Sequence, residues 1–142
     1  MTKQINVFVE NKPGRFKKIT GILAENGINI RAIEIQDRGD YGIMKLLVND
    51  PLRAHSALTE AGLAAALRDV VAISIKDHPG SLFKLAELFE VRGINMLDAY
   101  GFVTQAQQEA IWCVEVENPS EVTRVVAEAG YRVLAEDELY ES

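Results

Sequence analysis

The sequence predicts an α+β chain made of two copies of one small unit, each running strand, helix, strand, strand, helix, strand. Three observations predict it. Asn11, Pro13, Gly14, Phe16, Ile19, Gly27, Ile28 and Asn29 reappear as Asp77, Pro79, Gly80, Leu82, Leu85, Gly93, Ile94 and Asn95, each 66 residues further on. Self-similarity at a fixed period marks a duplicated supersecondary unit. Apolar residues alternate with polar ones before each Pro-Gly pair and take helical spacing after it, the change of period that separates a half-buried strand from an amphipathic helix. Helical stretches then close on Gly27, Gly62, Gly93 and Gly130, where a residue without Cβ fits the left-handed position past a helix end. The copies are bounded at 1–68 and 69–142.

The elements follow in order. Ile5, Val7 and Val9 alternate with Gln4, Asn6 and Glu10 in the first strand, matched by Val71, Ile73 and Ile75. Phe16, Ile19, Ile22 and Leu23 give the first helix one apolar face, matched by Leu82, Leu85, Leu88 and Phe89. Second strands are expected at Asn29 to Gln36 and Asn95 to Thr104, with turns at Arg38-Gly39-Asp40 and Gln105 to Gln108. Third strands carry Met44, Leu46 and Val48 on one face, with Trp112, Val114 and Val116 as counterparts. The spacing has grown there to 68 residues, so the second copy gained two in the preceding turn. Asp50-Pro51 and Asn118-Pro119 place a capping side chain before a proline at the first helical position, and Glu121 completes a capping-box-like pair with Asn118. Leu63 to Arg68 and Tyr131 to Asp137 supply the last strands. This order is the split βαβ, ferredoxin-like arrangement, with antiparallel sheets and helices on one face. Asp69 leads almost directly into Val70 without a Gly, Pro or Ser run, so the two copies are expected to pack as a fixed pair.

Composition narrows the function classes. Of 142 residues, 48% are hydrophobic and 25% charged, as in an ordinary globular chain. Each copy is small for a self-sufficient core and is expected to lean on its neighbour or on a homo-oligomer, a homodimer in the simplest case. A net charge of −6 speaks against nucleic acid, whose nonspecific binding requires a positive surface. The sole cysteine, Cys113, cannot form an intrachain disulfide or a cysteine-rich metal site, which favours a reducing compartment. Met1-Thr2-Lys3-Gln4 runs straight into the first strand and no apolar run approaches spanning length, so a cytoplasmic chain without membrane contact is expected.

The turn between first strand and first helix is the best candidate site. Its glycine lets a ligand approach the backbone, and the helix start behind it presents N–H groups that favour a carboxylate or phosphate. Asn11 and Asp77 stand at the strand ends, placed either to fix a polar ligand or to cap the turn. Asn/Asp-x-Pro-Gly is also ordinary turn chemistry, and the residues alone leave ligand binding and turn-making open. If the glycines serve ligand approach, valine at Gly14 or Gly80 is expected to weaken binding while the domain still folds.

Asn11-Lys12-Pro13-Gly14-Arg15-Phe16, followed by Ile22-Leu23 and Gly27-Ile28-Asn29-Ile30, resembles the ACT domain. Asp77-His78-Pro79-Gly80-Ser81-Leu82 with Gly93-Ile94-Asn95-Met96 resembles it more closely still. The resemblance spans nearly the whole chain as a tandem pair. It implies a regulatory module that binds an amino acid or similar small carboxylate between paired domains, through this loop and the start of the second strand. Carried over by position, the implied ligand-binding residues are Asn11, Pro13, Gly14, Arg15, Phe16, Ile28, Asn29 and Ile30 in the first copy. In the second they are Asp77, Pro79, Gly80, Ser81, Leu82, Ile94, Asn95 and Met96. Arg15-Phe16 against Ser81-Leu82 implies unequal sites.

The remaining residues suggest less. His55 and His78 lack partners at metal-ligand spacing, so neither a metal nor a cofactor is expected. His78 reads as an exposed loop residue, Trp112 as core, and Tyr100 and Phe102 as candidates for an interface. Cys113, sharing a strand with Glu115 and Glu117, is expected to be a passive thiol whose pKa those carboxylates raise. Glu136-Asp137-Glu138 with Glu141 reads as a solvated acidic end. No nucleophile–base pair stands at usable spacing, so no catalytic residue is assigned and the chain is expected not to be an enzyme. An acylphosphatase-like loop would need an arginine where Pro-Gly stands, and an RNA-binding sheet would need aromatics in place of Met44-Lys45-Leu46-Leu47-Val48. The reading is a non-catalytic amino-acid sensor. The alternative is an interaction subunit of an enzyme of amino-acid metabolism with no ligand of its own.

Overall fold

The computed structural model describes residues 1–10 and 12–140; Asn11 and Glu141, both named above, lie outside the described residues. The elements are β1 (Thr2–Glu10), α1 (Arg15–Glu25), β2 (Ile30–Asp37), β3 (Tyr41–Val48), α2 (Pro51–Glu60), β4 (Ala64–Lys76), α3 (Ser81–Val91), β5 (Asp98–Gln105), β6 (Glu109–Glu115), α4 (Pro119–Glu128) and β7 (Arg132–Val133), then a 3₁₀ turn at Asp137–Tyr140. The chain divides into two compact units, Lys3–Arg68 and Asp69–Ser142, with Met1–Thr2 joining the second. Thr2 is drawn there by its hydroxyl, which donates to the Leu134 carbonyl at 3.3 Å.

In the first unit β3 lies between β1 and β2, antiparallel to both, with Val7 opposite Met44 and Ile35 opposite Met44 on the other side. Ile5 and Val7 point into a core completed by Met44, Leu46 and Val48 from the sheet. Ile19 and Leu23 of α1 and Ala54 and Leu58 of α2 cover it. Each is the four-residue repeat of one helical stripe. The second unit repeats the plan. There β6 lies between β4 and β5, β7 pairs β4 through Ile73 and Val133, and Leu85, Phe89, Val122 and Val126 cover Val71, Ile73, Val114 and Val116. Trp112 packs against this core half-buried. This is the expected α+β fold in two ferredoxin-like repeats.

Four elements depart from the sequence reading. β5 begins at Asp98 rather than at Asn95, so Asn95 and Met96 lie before the strand. Leu63 to Arg68 and the Val71 strand join in one continuous β4, because no Gly or Pro stands between them to break it. The last strand is not Tyr131 to Asp137 but two residues, Arg132–Val133. Beyond it the Ala135 N–H donates to Glu138 Oε1 at 3.0 Å and the Glu138 N–H to Asp137 Oδ1 at 3.1 Å, local acid-to-backbone bonds that compete with a ladder. Within the acidic end Glu138 pairs with Arg132 and Leu139 is buried, while Asp137 stays exposed. Finally, Asp50 caps α2 by accepting the Arg53 N–H at 3.2 Å. Asn118 instead donates its side-chain amide to Glu121 at 3.0 Å and leaves the α4 backbone uncapped by a side chain.

Candidate functional site

The duplicated turn folds identically in both copies. Gly14 and Gly80 each take φ 90° and ψ −13° at the start of their helices, the left-handed region that other residues enter at a cost of about 1 to 2 kcal/mol. Lys12 accepts from the Arg15 N–H at 3.3 Å and His78 from the Ser81 N–H at 3.3 Å, so each turn is closed by its own backbone. A Cβ on either glycine would meet nothing within 4 Å. The turn has the room for a Cβ on which the valine expectation depends, but its φ is positive, so the cost of valine lies in the backbone, not in the space around the turn. Glycine at the helix start also brings no side chain to the first-turn N–H groups, and neither first turn holds an acid. Those groups keep the partial positive charge of a helix N-terminus.

Around the first turn, Lys12 and Arg15 share one carboxylate. Glu10 accepts from Lys12 at 2.7 Å and faces Arg15 at 3.6 Å. The Lys12 hydrogen bond, then the charges of Lys12 and Arg15, hold the Glu10 carboxyl below the usual range.

The second turn opens differently. It borders a cleft of about 510 Å³ lined by the end of β4 (Ser74, Ile75, Lys76), the turn and first coil of α3 (His78, Ser81, Lys84), Gln108 of the β5–β6 turn with Glu109 at the start of β6, and Gly130 to Arg132 after α4. His78 Nδ1 lies 3.1 Å from Ser81 Oγ, and Ser81 is buried. Glu109 accepts the Ser74 hydroxyl at 2.7 Å and the Thr104 hydroxyl at 2.7 Å, and faces Arg132 at 3.8 Å. The two hydroxyl bonds, Ser74's foremost, keep its carboxyl below the usual range. It is an anion at neutral pH.

Asp77 faces the neighbouring turn. Its Oδ2 accepts the Gln107 N–H at 2.7 Å, holding Gln107 in a left-handed conformation at φ 65°. The remaining sequence candidates separate into groups. Ile28 is buried in the first core, and Ile30 and Ile94 pack against their cores. Asn29 is tied by its backbone to Asn49, whose side chain accepts its N–H at 2.9 Å. Pro13, Phe16, Pro79, Leu82, Asn95 and Met96 are exposed, and Arg15 is partly so. Ile94 and Asn95 line a separate cleft of about 330 Å³ with Asn118 and Glu121, beyond the far end of α3. Eleven residues of helix put about 16 Å between those ends, so the two sets of second-copy candidates do not meet within the unit.

Sequence reasoning missed Lys76, Lys84, Glu109, Tyr131 and Arg132. A signal was present: where the second copy has Lys76, Glu109 and Arg132, the first has Glu10, Tyr41 and Ala64. Cys113 is passive for another reason than expected, because burial, not the neighbouring carboxylates, pushes its thiol up to about 12, against a smaller opposing effect of a Tyr100 hydrogen bond. His55 is a structural residue bonded at 3.0 Å to the Ala65 carbonyl. Among the described residues, no group of three or more His, Cys, Asp or Glu is placed to hold a metal ion, and no helix is long and apolar enough to cross a membrane.

A family model described as an ACT domain pair matches residues 1–142. Protein BT0572 from Bacteroides thetaiotaomicron is 32% identical and superposes with a TM-score of 0.92 over 99% of this chain and 96% of that one. The regulatory subunit of aspartate kinase from Thermus thermophilus, in a ligand-free form, is 22% identical with a TM-score of 0.66 over 91% and 93%. The corresponding Thermus flavus subunit is 22% identical with a TM-score of 0.58 over 89% and 91%. The two kinase subunits share the fold. No curated protein matches by sequence.

Proposed function

The chain belongs to the ACT domain pair family, and on that premise we propose that it is a non-catalytic sensor whose second copy binds a free amino acid. The observation that carries the proposal is the cleft beside Gly80. Its volume, about 510 Å³, is in the range of small-molecule sites. Its walls bring hydroxyl, imidazole and cationic groups to a helix start that favours a carboxylate, while Glu109 offers an anion to an ammonium group. The names of the kinase regulatory subunits agree with a regulatory role, and the sensor would act by changing its own assembly or a partner's activity. The Ile94, Asn95 and Met96 set lies too far along α3 to join this cleft; in the proposal it serves a neighbouring copy of the chain.

A thermal-shift screen with each of the common amino acids tests the reading. At least one should raise the melting temperature saturably, with a stabilisation of about 2.7 kcal/mol at a hundredfold excess over its dissociation constant. If none does, the sensor reading falls. The second reading would then stand, favoured by Leu82 and Phe83, large apolar residues exposed side by side at the start of α3. It makes the chain an interaction subunit that docks on an enzyme of amino-acid metabolism.

A further inference from the structure

We infer that the cleft of the second copy selects an amino acid with an acidic side chain, a ligand bearing two carboxylates and one ammonium. The inference rests on the sensor reading above and specifies its ligand. Arg132 is shared by two carboxylates, Glu109 at 3.8 Å and Glu138 in closer contact. Both of those acids have further donors, Ser74 and Thr104 for Glu109 and the Ala135 N–H for Glu138. Lys76 and Lys84 remain. Lys76 stands opposite Glu109 in the strand register, yet among the described residues neither lysine has an ion-pair partner. Two ammonium groups on one cleft, beside the buried Ser81 hydroxyl and the His78 ring, match two anionic groups on the ligand.

Comparison of the copies supports this assignment. The first copy places Glu10 where Lys76 stands, and Lys12 and Arg15 share that one carboxylate. It also has Tyr41 and Ala64 in place of Glu109 and Arg132. Lys84 has a counterpart in Lys18 of the first copy, so what is particular to the second copy is Lys76, Glu109 and Arg132 on the cleft beside Gly80, and one site per chain is expected. Glu109 keeps its negative charge within its hydrogen bonds from Ser74 and Thr104 and shares Arg132 with Glu138, so it disfavours a bare dianion relative to a ligand that carries an ammonium.

Isothermal titration of the full chain with L-glutamate, L-aspartate, L-glutamine, L-lysine, glutarate and inorganic phosphate tests the inference. One acidic amino acid should bind with one site per chain, at least tenfold more tightly than glutamine, lysine, glutarate or phosphate. Lys76→Gln and Lys84→Gln, both on exposed side chains, should each erase most of that preference while leaving the ligand-free melting temperature unchanged. Glutamine or lysine binding as tightly as the acidic pair would overturn the inference and leave the sensor reading intact. Glutarate or phosphate binding as well as glutamate would also overturn it, by removing the role of the ammonium. A preference that survives both lysine substitutions would show that the cleft is not its source. Absence of binding by every common amino acid sinks the sensor reading and this inference together.

Discussion

Gly80 and Cys113 show how single residues are fixed by geometry rather than by chemistry at the site. Gly80 has open space for a side chain but a φ of +90°, so the cost of substitution tracks tolerance of the left-handed region and not size. Gly80→Asn should destabilise less than Gly80→Ala, and Gly80→Val most, with the alanine cost about 1 to 2 kcal/mol. Urea denaturation of the three variants reads this order directly, and an order following side-chain volume alone would contradict it. Cys113 is buried and its thiol is pushed up to about 12 from an ordinary 9.0. The folded chain keeps a proton that the unfolded chain releases, so this contribution to stability is whole below pH 9 and is lost as pH rises from 9 toward 12. Wild type should therefore lose stability more steeply than Cys113→Ala across that window. Parallel slopes for the two proteins would contradict the burial account.

Among the elements, the 3₁₀ turn at Asp137–Tyr140 depends on ionised acids. Glu138 is held below the usual carboxylate range first by the Ala135 N–H and then by Arg132. A depressed carboxylate stabilises above its unfolded value of 4.5 and ceases to do so as pH falls through the lower folded one. Amide resonances of Ala135 and Glu138 should therefore titrate together with a midpoint under 4.5, and Glu138→Gln should remove that titration; a midpoint at or above 4.5 would contradict the pairing. The same segment marks the limit of sequence reading. The duplicated turns, the four helices and their glycine ends were legible because a left-handed glycine, a proline at the first helical position and a 3.6-residue stripe are local signals. The shortening of the last strand to Arg132–Val133 was not, since it depends on Glu138 folding back onto Ala135 and Arg132. The cleft was hidden for a related reason. Lys76, Glu109 and Arg132 come from three strands, and only the register of Lys76 with Glu109 and of Ser74 with Arg132 brings them together.

For the whole chain, duplication supplied two identical turns and divergence of charge made them unequal. One turn closes on the Glu10 pairs, and the other faces a cleft with two unanswered lysines. The central claim is that ligand enters at the second copy. Amide shift mapping during titration with the amino acid that raises the melting temperature tests it most directly. The largest changes should cluster at His78 to Lys84, Gln108 to Glu109 and Gly130 to Arg132, with Lys12 to Lys18 little changed. Changes centred on Lys12 to Lys18, with the second turn silent, would contradict the account.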